Sequence, residues 1–164
     1  MRVRTLLLTL AFAFGLAASA AAAPTPTPQD RTFVMTAGHA GAAEIAAAKL
    51  ALTKTSDRAT IAFAQQMIRD HTALAAKLKL AAKSAGLTPP AVPSPAQTAS
   101  IKALGKLDAA AFLKEYVQNQ ISAHKSAVAL FTAESEHGQA PALKSAATAA
   151  LPTLKAHLKM AESM

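Results

Sequence analysis

The sequence predicts an all-α protein, and three observations carry that prediction. Apolar residues recur at spacings of three and four almost everywhere beyond the N-terminal segment. No stretch alternates β-branched and polar residues in the way a half-buried strand does. The pattern is interrupted only where capping and helix-stopping residues cluster, which leaves four long segments. Four helices of such length argue for a four-helix bundle. At 164 residues the chain is one domain's worth.

The N-terminus reads as a targeting segment. Arg2 and Arg4 precede the apolar run "LLLTLAFAFGL", and "AASAAAA" supplies small residues for cleavage near Ala20 to Ala23. Residues 1–23 are therefore expected to be a secretory signal peptide, too short to span a membrane stably. Residues 24–31, "PTPTPQDR", are expected to be a Pro-rich extended linker, and residues 32–164 the helical domain. The chain has no Cys, so it carries neither a lipoprotein anchor site nor a disulfide. A periplasmic or secreted location follows as an expectation. Beyond the signal no stretch is long and apolar enough to cross a membrane.

The helices follow in order. The first runs from Thr32 to about Thr53, and "TKTSD" offers Ser56 or Asp57 as the next N-cap. The second runs from Arg58 to Ala85 and stops at Gly86, with prolines just beyond. The segment "AVPSPAQTAS" begins irregularly, and a short helix is expected from Ala96 to Leu104. The third long helix starts near Asp108 and ends at His137-Gly138. The fourth starts around Pro141, tolerated in a first turn, and continues to the C-terminus. Two short links flank one long connection between long helices two and three, which suits a ferritin-like bundle with a single long crossover. An up-down-up-down bundle with a decorated loop stays open as the competing topology.

Composition limits the partners. Hydrophobic residues make up 52% of the chain, but much of that is alanine, which favours helix and fills little volume. The core is expected to be thin and the helices closely packed. Losing Arg2 and Arg4 with the signal leaves 15 basic against 9 acidic residues, a net charge of +6. The lysines are scattered along helix faces without a dense run, so they read as solvated surface and not as a nucleic-acid footprint.

The inner faces carry the chemistry. In the second helix His71 interrupts the stripe of Ala64, Met67, Ile68, Leu74 and Leu78. His124 does the same between Val117, Ile121, Val128 and Phe131, and His157 between Leu154 and Ala161. On the first helix Glu44 is the polar member among Ala37, Gly41, Ala48 and Ala51. Each of the four lies roughly 18–24 Å from its helix start, so all reach one level whichever way the helices run. A single histidine on such a stripe is ordinarily a hydrogen-bonded core residue. Four ligand-type side chains coinciding in face and height point instead to a divalent metal, since burying them unpaired costs several kcal/mol. Asp70 lies about 100° around the helix from His71, placed either as a fifth ligand or to accept a hydrogen bond from a ligand histidine. Tyr116 and Gln120 precede His124 on its helix and offer further hydrogen bonds. His39 is about 140° from Glu44 and is excluded from the site. His137 reads as a cation at a helix C-terminus. Met67 reads as core filler, with soft copper ligation as the alternative.

In order, "FVMTAGHAGAAEIAAAKLAL", "FAQQMIRDH", "FLKEYVQNQISAH" and "LPTLKAHLKMA" resemble a family of exported bacterial ferritin-like proteins whose domain has no assigned function. The likeness spans about Phe33 to Ala161 and falls on Glu44, on Met67, Asp70 and His71, on Tyr116 and His124, and on Pro152 and His157. It implies a ferritin-like four-helix bundle and supplies no activity. Di-iron members of that wider fold carry Glu-x-x-His on two helices. Here Ile68 and Leu154 stand three residues before His71 and His157, so the bridging carboxylates are missing. A mononuclear site of Glu44, His71, His124 and His157 with Asp70 fits better, for Zn, Cu, Mn or Fe. The sequence is therefore expected to encode an exported metal-binding bundle, with a structural or stress-related envelope protein without metal and a redox-metal oxidase or peroxide-handling enzyme as the alternatives. The partner expected is a metal ion. No protein partner is specified, and a homodimer stays open.

Overall fold

The computed structural model describes residues 25–164, so the expected signal segment lies outside the described residues. Those residues are helical, with no strand among them: α1 Pro28–Lys54, α2 Arg58–Ser84, α3 Pro95–Gly105, α4 Ala109–His137 and α5 Pro141–Glu162.

Local chemistry sets the helix ends. Asp57 caps α2 by accepting from the Thr60 N–H at 2.7 Å, and Asp108 caps α4 by accepting from Ala111 at 2.9 Å. Ser94 and Gln97 form a reciprocal capping box at α3 with Pro95 in the first turn. The α2 helix closes through Gly86 at φ 68°, with Leu87 N–H returning to the Ala82 carbonyl. Only a residue without Cβ adopts that left-handed conformation at little cost.

One expected boundary is corrected. The linker was expected to reach residue 31, but α1 begins at Pro28. Thr27 and Asp30 make a capping box around Pro28: Asp30 N–H donates to the Thr27 hydroxyl at 3.2 Å, and Thr27 N–H donates back at 2.6 Å. Proline ends a helix from within but opens one from its first position, and "TPQD" uses it in the second way.

The helix α1 packs against α2 and α4, and α5 packs against α4 and α2. Each of these pairs is antiparallel. Gln29 at the start of α1 reaches the Ala133 carbonyl late in α4, while Lys54 at its other end donates to the carbonyls of Gly105 and Leu107, just before α4. The connection from α2 to α4 therefore runs back along α1. It is pinned there twice: Gly38 packs on Pro90, and the His39 ring donates from Nδ1 to the Val92 carbonyl at 2.8 Å. That bond also keeps His39 away from the other histidines, as its helical angle requires.

Two apolar clusters fill the interior. One gathers Phe33, Val34, Leu78 and Leu143, and the other Phe63, Met67, Phe112 and Tyr116. In each long helix the residue singled out from sequence falls between members of the two clusters. A polar layer thus crosses the core at mid-height. Met67 is fully buried within the second cluster, in keeping with core filling.

Candidate metal centre

His71 on α2, His124 on α4 and His157 on α5 are all buried, at 5%, 1% and 1% exposure. Their ring centroids stand 5.3–5.6 Å apart. One ring nitrogen from each comes within 4.8 Å of the others, and no other such group of three or more His, Cys, Asp or Glu is found among the described residues. Donors on opposite sides of an ion with bonds of ~2.1 Å stand about 4.2 Å apart, so small side-chain movements suffice to close on one ion.

Hydrogen bonds fix which nitrogens are free. His124 Nδ1 lies 2.9 Å from the Gln120 carbonyl, and His157 Nε2 lies 2.8 Å from Asp70 Oδ2. Both partners are acceptors, so both nitrogens carry the proton. The opposite nitrogens, His124 Nε2 and His157 Nδ1, are the ones left for a ligand. These two atoms and His71 Nε2 are buried with no hydrogen-bond partner.

The His71 and His124 rings are neutral. Burial, then the neighbouring His124 and His157, pull His71 down to about 3, with Asp70 opposing. Burial also pulls His124 down to about 4, against its hydrogen bond to Gln120. Neutral imidazole is the form that coordinates a metal. Asp70 is half-buried on the far side of His157. Burial pushes its carboxyl up, but the Gln66 amide and His157 outweigh this and hold it below the usual range. An ionised carboxylate behind a ligand histidine raises the basicity of that ligand and fixes its orientation.

Glu44 stands beside the cluster and not within it. Its Oε2 accepts from Gln120 Nε2 at 2.7 Å. Burial raises its pKa to about 7 despite that bond. Gln120 thus holds Glu44 through its side chain and His124 through its backbone. Tyr116 is buried with its hydroxyl unpartnered, and burial, then the Glu44 carboxylate, push its phenol above the usual range. The sequence placed Glu44, His71, His124 and His157 at one level, and the structure brings the three imidazoles together with Glu44 alongside and Asp70 behind.

Two things escaped the sequence reading. The first is a cavity of about 550 Å³ reaching Glu44, His71 and His124, walled on one side by Ala37, Gly38 and Gly41 of α1. Small residues predict close helix packing, yet here they leave space. The second is a buried carboxyl pair away from the histidines, Asp30 with Glu134. Asp30 Oδ1 accepts from the N–H groups of Gln139 and Ala140 at the start of α5, which has no side-chain cap of its own. The capping box in "TPQD" was the available signal for Asp30. Nothing in "AESEH" marks Glu134 as buried.

Fold and site together define an all-helical protein with a buried three-histidine cluster. The chain belongs to the family described as Domain of unknown function (DUF4142), whose model matches residues 15–164. Among solved structures it is similar in fold to a DUF305 fragment from Deinococcus radiodurans, with a TM-score of 0.73 at 18% identity over 85% of this chain and 97% of that one. No curated protein matches it.

Proposed function

We propose that this is an exported metal-binding protein, a ferritin-like four-helix bundle with one long crossover and a mononuclear centre of His71, His124 and His157. One observation carries the reading: three histidines of one tight buried cluster each hold a ring nitrogen without a partner, while the opposite nitrogens of His124 and His157 are tied to acceptors. A purely structural polar layer leaves those three atoms unsatisfied, which is costly in a core. An ion satisfies all three at once. Three neutral nitrogen donors suit Zn, Cu or Fe, and Mn where Glu44 adds oxygen. Asp70 orients His157. Glu44 faces a fourth position from the cavity side. Residues 1–23 act as the signal that exports the chain to the periplasm or beyond, and they are lost on export.

The experiment is metal loading of the purified protein, with stoichiometry measured for Zn, Cu, Mn and Fe in the parent and in His71→Ala. One ion per chain in the parent and less than a tenth of that in the variant is expected. Equal loading of both proteins refutes the site. The cavity reaching His71 and His124 favours a second reading, an enzyme with an open coordination position. Turnover of peroxide or oxygen by the loaded protein, abolished in His71→Ala, distinguishes it from simple binding.

A further inference from the structure

The cavity beside the histidines has the construction of a small-molecule pocket. At about 550 Å³ it falls within the range of roughly 300–1,000 Å³ usual for such sites. Its walls are apolar, from the small residues of α1 to Leu74, Leu78, Leu130 and Phe131 opposite. The polar residues that line it separate by depth. Lys79, Thr36 and Ser126 are exposed and mark the rim, Gln97 on α3 is half-buried between, and Glu44, His71 and His124 are buried and form the floor.

The walls are held in place. A Cβ on Gly38 would stand 2.7–2.9 Å from three atoms of Pro90, so the connection from α2 to α4 is seated directly on α1 there. The His39–Val92 hydrogen bond fixes the next turn. One helical turn further into the cavity the situation reverses, and a Cβ on Gly41 meets nothing within 4 Å. The space is open and preformed, with walls supplied by residues other than the three histidines, and His71 and His124 reach it only at its floor.

The floor selects the head group. Glu44 Oε2 is taken by Gln120, while Oε1 takes no hydrogen bond among the described residues. It offers an acceptor to a donor entering from the cavity. A carboxylate head would face Glu44 as a like charge, and an ammonium head would be buried among apolar walls at a large desolvation cost. A hydroxyl meets neither penalty.

We propose that the cavity binds a small uncharged molecule with an apolar body and a single hydroxyl, the chemistry of a phenol, with the hydroxyl donating to Glu44. This goes beyond metal binding and does not require an ion. The protein has no Trp and one Tyr, so the fluorescence of a naphthalene ring reports binding without interference. Chelator-treated protein at pH 8 is titrated with 1-naphthol, naphthalene and 1-naphthoate. Saturable one-to-one binding of 1-naphthol is expected, about tenfold tighter than naphthalene, with 1-naphthoate weakest. Gly41→Leu fills the space and should weaken 1-naphthol at least tenfold while metal stoichiometry stays at the parent value. Glu44→Leu should erase the preference for 1-naphthol over naphthalene.

Unaltered 1-naphthol binding in a folded Gly41→Leu overturns the pocket. Equal binding of naphthalene and 1-naphthol by the parent overturns the role of Glu44, and needs no variant to fold. Tighter binding of 1-naphthoate overturns the uncharged ligand class. Metal binding without 1-naphthol binding rejects this inference and leaves the metal centre standing. The converse result rejects the metal centre and leaves the pocket.

Discussion

At the scale of single residues, the carboxyl groups of Asp30 and Glu134 show how one environment drives two acids apart. Burial pushes Asp30 up, but the Thr27 hydroxyl and three backbone N–H groups outweigh it and hold Asp30 well below the usual carboxylate range. Glu134 is 1% exposed and both its oxygens lack hydrogen-bond partners. Burial, then Asp30, raise it to about 7. A carboxyl whose folded pKa is raised contributes stability in its protonated form, fully present below the unfolded value of 4.5 and lost as pH rises through about 7. Glu134→Gln keeps the neutral shape and removes the titration. Its stability relative to the parent should therefore rise between pH 4.5 and 7, by about 3 kcal/mol, as read by urea denaturation at each pH. A constant difference across that range would show that Glu134 is ionised throughout. Asp70 makes a second case. Asp70→Asn keeps the size of the partner at His157 Nε2 but removes its charge, and metal affinity should fall about 10–100-fold with stoichiometry intact. Competition against a chromophoric chelator measures it. The histidines were legible in the sequence because each breaks an apolar stripe whose period is local. Asp30 and Glu134 were not, because they meet through a contact between the start of α1 and the end of α4, and no spacing within either helix records it.

At the scale of elements, the long connection between α2 and α4 is the piece whose position the sequence left open. Its length and its prolines were legible, as were the short helix at its centre and the cap at Asp108, while Asp57 was one of two candidates with Ser56 and the cap at Ser94 was not marked. Whether it doubled back along the first helix or stood off as a decorated loop was not, since docking depends on shape at Gly38 and on no pattern. Gly38 and Gly41 lie one turn apart on α1 and make opposite predictions. In Gly38→Ala the new methyl meets the Pro90 ring and its backbone at 2.7–2.9 Å, and Pro90 cannot rotate away. Such overpacking typically costs about 1–3 kcal/mol, and the connection should show faster amide exchange around Ala91 and Val92. In Gly41→Ala the methyl enters open space, and the helix gains a residue of better propensity. Stability should stay level or rise by up to ~1 kcal/mol. Equal losses in both variants would mean that the small residues of α1 serve helix packing generally and not the seat of the connection.

At the scale of the whole molecule, the imidazole layer sets stability against function. The interior is two apolar clusters, and replacing the layer between them with apolar side chains would join them into one. His71 makes the cost plain, because its buried Nε2 has no partner and no side chain supports its ring as Asp70 supports His157. An unsatisfied buried polar atom costs about 1–3 kcal/mol. His71→Leu, similar in volume, should therefore make the metal-free protein more stable by about that amount. The same variant should lose its response to metal. An ion held by α2, α4 and α5 binds only the folded chain, and at a free concentration 100 times its dissociation constant it adds ~2.7 kcal/mol. In a domain of this size that raises the melting temperature by roughly 5–10 °C. The parent should melt lower in chelator and higher in metal, while His71→Leu melts at one temperature in both. If His71→Leu is less stable than the parent in chelator, the imidazole layer holds the fold by itself and the argument for an ion fails. If it is more stable and unresponsive, the protein retains at its centre a residue that weakens its empty form, and the ion is what that residue serves.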